Sequence, residues 1–413
     1  MTASRGKLKR PGQRSGLGLP FAQGHRRLLP WSLAGLAVSA VCAWWGWSGG
    51  FCQRQPSAAP CWSVGQQPQN LQQVLTLPDS AITQLDIGLV NLLCAEGLPG
   101  ADNLNVHGCI TTLDQWAQRV KSETERHLYR FKANPKEFDS SEAYFRMLMM
   151  AVVLCEDFSV RYNPARITTP ADVGANDHFF ADSRDLFLHG LLCAGVLSPK
   201  SQVQGLNPAS PAPPPSSFAL GTCSSMPVLY IAIGRRLGYP LKLVTTKSHL
   251  FIRWESPTER FNLEATGKGM SRYDDDHFKH WPFPVTEAEI QADGYLKSLT
   301  PAEELALFLS LRGHCLREAG RMPEAIASYA EAVRLAPDSR PYRLLLADAR
   351  QRGSYQDRSA GVPPASAGAV PPAASLPPAY AQAAPLLPPP PPPVTAQPGA
   401  PPDPNPLLRI RQQ

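Results

Sequence analysis

Apolar residues recur at helical spacing through the first half of the chain and then give way to an alternating pattern. Between residues 70 and 197 they fall every three or four positions, which predicts amphipathic helices. The two clearest faces are Leu85, Leu89, Leu92 and Leu93, and Leu113, Trp116 and Val120. The segment Gly97-Leu-Pro-Gly100 ends the first helix. Residues 141–155 are apolar nearly all round, which predicts a helix at the centre of the core.

The pattern changes from helix to strand after Cys223. Apolar residues keep helical spacing from Met226 to Leu237, and the Gly238-Tyr-Pro240 turn stops that helix. Because proline is tolerated only in the first turn of a helix, Pro227 predicts a helix start at or close to Cys223. Alternating residues then predict strands at 241–246, 249–254 and 260–264. The predicted fold class is α+β, with helices first and a small antiparallel sheet after them.

A second helical region is predicted at 303–350. Its small and large residues alternate as in a tetratricopeptide repeat, a helical pair of about 34 residues. The matching positions are Leu309, Gly313, Leu316, Ala325, Tyr329, Ala332 and Pro337. A further helix at 341–350 caps the pair. Because one repeat cannot bury its own apolar face, we expect it to dock on the core rather than form an independent superhelix.

Proline-rich segments interrupt and follow these regions. The chain has 413 residues and 44 prolines, six of them in one run at 388–393. Proline lacks an amide donor and fixes its backbone, so residues 351–413 predict a disordered tail, either a spacer or a ligand for proline-binding grooves. Residues 198–217 form a second such segment. They are interpreted as a surface loop, either a tolerated insertion or a flap over the motif that follows.

The net charge of +6 arises largely at the N-terminus, because the first acidic residue is Asp79. Residues 1–27 form a basic tail, and 28–49 an uncharged apolar segment ending in three tryptophans, which predicts a membrane-spanning signal anchor followed by a linker at 50–80. The charge bias then puts the N-terminus in the cytoplasm and the body on the other side. A cleaved signal peptide is the alternative. No basic stripe interleaved with aromatic residues occurs in the body, so nucleic acid is not an expected partner.

Nine cysteines are too few and too dispersed for a disulfide scaffold in a chain of this length. Cys52 and Cys61 follow the predicted anchor and are placed to pair in an oxidising compartment. The cysteines in apolar, mostly helical contexts are interpreted as small core residues. These are Cys94, Cys109, Cys155 and Cys193.

Three residues form a candidate catalytic triad: Cys223, His249 and Glu264. A thiol attacks as its thiolate, and the amide donors and dipole of a helix N-terminus lower a cysteine pKa. We therefore expect Cys223 to be the nucleophile, with the Cys223 and Ser224 backbone amides forming an oxyanion hole. His249 opens one predicted strand and Glu264 ends the next. A hairpin would bring these two side by side, so that the carboxylate orients the imidazole base.

This arrangement resembles the catalytic core of the transglutaminase-like superfamily. The resemblance rests on Cys223 opening a helix that ends in Arg235-Arg-Leu-Gly-Tyr-Pro240, on His249 in a strand, and on Glu264-Ala-Thr266. Many members have Asp-Pro-Thr where this chain has Glu264-Ala-Thr266. The match covers roughly residues 205–285. The preceding helices and the following repeat are similar to those of a bacterial branch of the superfamily.

The resemblance implies a helical part at 81–197 packed on a catalytic core at 218–300. It also implies acyl transfer through a thioester, most simply hydrolysis of a peptide or other amide, with a protein or peptide substrate and no cofactor. The alternative is an inactive, membrane-anchored scaffold that binds protein partners through its repeat and proline-rich tail.

An acidic segment, Asp274-Asp-Asp276-His277 with His280, suggests either a metal site or an exposed acidic loop. No second half of a metal site is evident, so the loop is the favoured interpretation and no metal is expected.

Overall fold

The structure is a computed structural model that describes residues 67–166, 179–192, 218–267 and 271–360. The predicted basic tail, membrane anchor and proline-rich loop lie outside these residues, as do Cys52, Cys61, Cys193 and the tail beyond residue 360. Within the described ranges no helix is both long and apolar enough to cross a bilayer. The fold is α+β, as predicted.

Among the described residues, six α-helices precede the cysteine motif. Their bounds are α1 Leu71–Leu75, α2 Asp79–Ile82, α3 Ile87–Ala95, α4 Val106–Ala133, α5 Glu142–Val152 and α6 His189–Leu192. Every residue of α3 is buried, because three helices contact it: α4 and two later helices, at 226–236 and 301–318. The predicted central helix is α5, which continues into a π-helical turn at Val153–Asp157. The glycine turn ends α3 as predicted, with φ of +68° at Gly97 and +86° at Gly100.

The three predicted strands are confirmed and belong to a four-stranded antiparallel sheet in the order β3-β4-β5-β6. The strands are β3 Leu241–Thr246, β4 His249–Glu255, β5 Arg260–Glu264 and β6 Ser271–Tyr273. As the alternation predicted, Leu250 and Ile252 face the main core, whereas Phe251 packs on the other side against Phe278.

A second, two-stranded sheet was not predicted. Strand β1 (Val160–Tyr162) pairs in parallel with β2 (Ala219–Gly221), with Tyr162 opposite Gly221. The prediction that helical structure extends from residue 70 to 197 is therefore wrong at β1. A three-residue strand is too short to give an alternating signal, and its partner is distant in sequence.

The helix after the cysteine motif, α7, spans Met226–Arg236 and has Pro227 in its first turn, as predicted. It begins three residues after Cys223, which lies in the turn that precedes the helix. Gly238, at φ +76°, terminates this segment. Short helices α8 Asp275–His280 and α9 Glu287–Asp293 follow the sheet.

Three C-terminal helices complete the structure: α10 Pro301–Glu318, α11 Met322–Leu335 and α12 Arg340–Ala360. Thr300 and Glu303 form a reciprocal capping box that starts α10. The last helix runs ten residues beyond the predicted boundary at 350, because no proline occurs between 342 and 360.

The expected docking of these helices on the core is confirmed. The Arg235 guanidinium of α7 donates to both oxygens of Glu304 on α10, at 2.9 and 2.5 Å. The Arg312 guanidinium, also on α10, donates to the carbonyls of Cys94 and Glu96 at 2.9 and 2.6 Å. These charged contacts join α10 to both α7 and the end of α3.

Candidate functional site

The antiparallel pairing of β4 and β5 brings His249 and Glu264 together. Ile252 is opposite Leu263, so Glu264 lies on the same face of the sheet as Phe251 and His249. The Nε2 atom of His249 is 2.6 Å from Oε2 of Glu264. The His249 side chain is fully buried. The predicted juxtaposition of these two residues is therefore present.

The second carboxylate oxygen of Glu264 is also occupied. Its Oε1 accepts from the backbone amide of Thr266 at 2.8 Å and from the Thr266 hydroxyl at 2.6 Å. Burial alone would raise the pKa of Glu264, but the His249 charge and the hydrogen bonds from His249 and Thr266 lower it below its ordinary value. Glu264 is thus held as a carboxylate in a fixed orientation.

This carboxylate determines which nitrogen of the His249 ring faces it with a proton. An ionised carboxylate only accepts hydrogen bonds, so Nε2 carries a proton, and in the neutral form of the ring Nδ1 then keeps its lone pair. The described residues offer no hydrogen-bond partner to Nδ1, which is buried. Nδ1 is therefore the atom that can act as a general base.

Cys223 lies in a turn held by the preceding residue. The Thr222 backbone amide donates to the Ser225 hydroxyl at 3.0 Å, and the Thr222 carbonyl accepts from the Met226 amide at 2.9 Å. The Thr222 hydroxyl donates to the backbone carbonyl of Asp185. Thr222 thus fixes the turn at both ends and joins it to the segment before α6.

The thiol of Cys223 is only 2% exposed. Burial raises its pKa well above the ordinary value, and the negative charge of Glu264 adds to the effect, whereas a hydrogen bond from Ser224 acts in the opposite direction. The expected thiolate-stabilising helix N-terminus is displaced, because α7 starts at Met226. In this state Cys223 is a neutral thiol.

One amide of the predicted oxyanion hole already has an acceptor. The Ser224 amide donates to the Thr222 hydroxyl oxygen at 3.2 Å. Tyr162 on β1 lies near the Cys223 backbone, and its hydroxyl donates to the Arg166 carbonyl at 3.4 Å. Burial is the main cause that raises the pKa of Tyr162 far above its ordinary value, so its hydroxyl stays protonated. The sequence interpretation missed Tyr162, because it depends on the unpredicted strand β1.

Aromatic rings cover the histidine. The Trp281 ring meets the His249 ring edge to face, with centroids 4.6 Å apart. Phe278 lies on the same side at 6.5 Å, and His277 stacks on Tyr273 at 3.9 Å. These residues also escaped the sequence interpretation. They come from three local structures, because Tyr273 ends β6, His277 lies in α8 and Trp281 follows that helix, so no single periodic pattern in the sequence indicated them.

The acidic segment is helical rather than an exposed loop. Asp274 caps α8 by accepting from the His277 amide. Asp275 accepts from the Arg253 and Arg260 guanidinium groups at 2.7 and 2.8 Å. Within the part of the chain that the structure describes, no group of three metal-ligating side chains comes together.

A cavity of about 190 Å³ joins the candidate residues. Cys223, Ser224 and His249 form one side of it. The opposite side comes from α10 and α12, including Leu307, His314 and Leu345. Predicted nucleophile and predicted base therefore line one cavity, together with residues of the C-terminal helices.

Comparison with family models, with curated proteins and with solved structures gave no match to this chain.

Proposed function

We propose that this chain is a cysteine-dependent hydrolase or acyltransferase of the transglutaminase-like type, acting on a peptide or other amide. The observation that carries the proposal is the buried pair of His249 and Glu264, which leaves Nδ1 of His249 without a partner, together with a cavity that both His249 and Cys223 line. A histidine oriented by a carboxylate beside a thiol is the arrangement that nucleophilic acyl transfer requires.

The chemistry follows from a neutral resting thiol. As the Cys223 sulfur bonds to the substrate carbonyl carbon, its proton passes to Nδ1 of His249, and Glu264 stabilises the imidazolium that forms. The carbon–nitrogen bond then breaks, and the leaving amine takes the proton from Nδ1. The product at this stage is a thioester on Cys223.

The second half of the reaction releases the acyl group. Water gives a proton to Nδ1 as it attacks the thioester, and the thiol is restored when the carbon–sulfur bond breaks. An amine acceptor in place of water gives transfer rather than hydrolysis. In both halves the carbonyl oxygen becomes negatively charged, and the Cys223 backbone amide is the donor we propose for it.

We further propose that α10 and α11 are a single tetratricopeptide-like pair with α12 as its cap. Support comes from Gly313, where a Cβ atom would lie 2.4 Å from the Tyr329 ring, the close approach of small and large residues typical of such pairs. Attachment to a membrane through residues 28–49, with the body outside the cytoplasm, remains a prediction from the sequence.

One observation favours an inactive scaffold instead: Cys223 is nearly inaccessible and its pKa is raised. Turnover distinguishes the two functions. We expect the wild-type chain to cleave members of a library of N-acylated peptide amides, and Cys223→Ala to cleave none. The Cys94→Ala variant, which alters another fully buried cysteine, should keep the activity. Absence of any turnover by wild type at substrate concentrations up to the solubility limit would favour the scaffold.

A further inference from the structure

Part of the cavity that Cys223 lines is an apolar wall. Phe180 lies over the ring of His314, with centroids 4.5 Å apart. Leu307 and Leu311 of α10 and Leu345 of α12 complete this wall. The C-terminal helices and Phe180 therefore contribute several hydrocarbon and aromatic side chains to the cavity that Cys223 lines.

Polar groups in the same wall are bonded within the protein. The Ser310 hydroxyl donates to the Leu307 carbonyl at 2.7 Å. The His314 Nδ1 atom is 3.2 Å from the Tyr329 hydroxyl, and burial lowers the pKa of His314 to about 3. His314 is thus neutral at physiological pH and carries no charge that would attract an ionic ligand.

The charged groups at the edge of the cavity neutralise each other. Asp293 accepts from the Arg340 guanidinium at 2.7 and 2.9 Å. Lys247 donates to Glu289 at 2.6 Å. A charged side chain that entered the cavity would lose its hydration, and among these residues it would find no unpaired opposite charge to compensate for that loss.

The volume limits the size of the occupant. An apolar cavity of about 150 Å³ holds one benzene molecule. At about 190 Å³, this cavity has room for one ring or one branched aliphatic side chain but not for a folded segment of a protein.

We propose that this cavity binds an apolar side chain of the phenylalanine or leucine class, on the acyl side of the bond that Cys223 attacks. The helices α10 and α12 then select the substrate, which gives the C-terminal region a part in recognition. The inference rests on the proposed function for the position of the bond, but its binding component is independent of turnover.

The test uses the Cys223→Ala variant of the full chain, so that no chemistry interferes. Isothermal titration calorimetry measures the affinity of N-acetyl-L-phenylalaninamide and of the corresponding glutamate and lysine amides. We expect the phenylalanine amide to bind at least ten-fold more tightly than either charged amide. Equal or tighter binding of a charged amide overturns the proposal.

Two adjacent leucines give a matched control. Leu345 lines the cavity, whereas Leu346 does not, and both are 9% exposed. In the Cys223→Ala background, Leu345→Trp should weaken phenylalanine amide binding at least ten-fold, and Leu346→Trp less than two-fold. Leu311→Trp, at a partly buried position on the same wall, repeats the test if Leu345→Trp does not fold. Unchanged affinity in the folded cavity variant refutes the proposed pocket.

The two proposals fail separately. If wild type hydrolyses amides but shows no preference for apolar over charged side chains, and the Cys223→Ala variant binds none of the amides, the pocket is wrong and the catalytic assignment stands. If the variant binds the phenylalanine amide but wild type cleaves nothing, the pocket is right and the enzymatic function is wrong.

Discussion

Gly313 is the position where one added methyl group should disturb the C-terminal helices most. A Cβ atom there would lie 2.4, 2.7 and 2.8 Å from three atoms of the Tyr329 ring, well inside the normal carbon–carbon separation of about 3.5–4.0 Å. Tyr329 is fully buried, and its hydroxyl bonds to His314 at 3.2 Å. The ring therefore cannot move aside without losing that hydrogen bond.

The cost of Gly313→Ala follows from two opposing terms. Overpacking a core by one methyl group costs up to about 3 kcal/mol. Alanine in place of glycine within a helix contributes about 1 kcal/mol of stability in the other direction. The net loss is about 2 kcal/mol. For a body of this size each kcal/mol corresponds to about 2–4 °C, so Tm should fall by about 4–8 °C.

Gly353 in α12 provides the control. An added Cβ there would meet only the end of the Ile326 side chain at 3.2 Å and Met322 at 3.5 Å, which flexible side chains accommodate. Gly353→Ala should leave Tm unchanged or raise it slightly through helix propensity. Differential scanning calorimetry measures the Tm of both variants and of wild type. Equal Tm changes in the two variants, or no change at Gly313, would refute the packing argument.

Three further predictions concern the core and the site. Arg235→Met should lower the free energy of unfolding in urea by about 3 kcal/mol, because it leaves Glu304 buried without its partner. The double variant with Glu304→Met should recover most of that stability. A loss below about 0.5 kcal/mol in Arg235→Met would contradict this. Thr222→Val should cost about 1–3 kcal/mol and slow amide turnover, because the Ser224 amide loses its acceptor, whereas Thr222→Ser should behave as wild type. The pKa of Glu264 is lower in the folded protein than its ordinary value of 4.5, so its ionised form stabilises the fold fully above pH 4.5, and this contribution is lost as the pH falls through the folded pKa. Tm should therefore fall between pH 7 and pH 3, and it should fall less in Glu264→Gln than in wild type. Equal falls in Tm would contradict the assignment.

The sequence was informative wherever a local pattern decides the structure. Alternating apolar residues predicted both β4 and β5. The short connection between these strands predicted an antiparallel hairpin, which places His249 near Glu264 because residues opposite each other in paired strands lie on the same face of the sheet. Pro227 limited the start of α7 to within a few residues. These inferences need no information about distant segments.

The features that could not be predicted from the sequence depend on contacts between segments that are far apart in the chain. Strand β1 exists because Tyr162 pairs opposite Gly221, and no local pattern reports such a partner. The neutral state of Cys223 arises from burial, whereas its sequence context alone favoured a thiolate. Leu345 of α12 and Cys223 line the same cavity. The helical pattern of α12 predicts the helix itself but cannot indicate which distant segment it lies near.

The most direct test of the account is to trap the acyl group on Cys223. The chain is mixed with the p-nitrophenyl ester of N-acetyl-L-phenylalanine, quenched in acid within seconds, and examined by intact mass and peptide mapping. We expect one acyl group, on Cys223, and acylation slower by about 10²–10⁴-fold in His249→Ala, the usual contribution of a general base. Acylation of another residue, or an unchanged rate in His249→Ala, would contradict it.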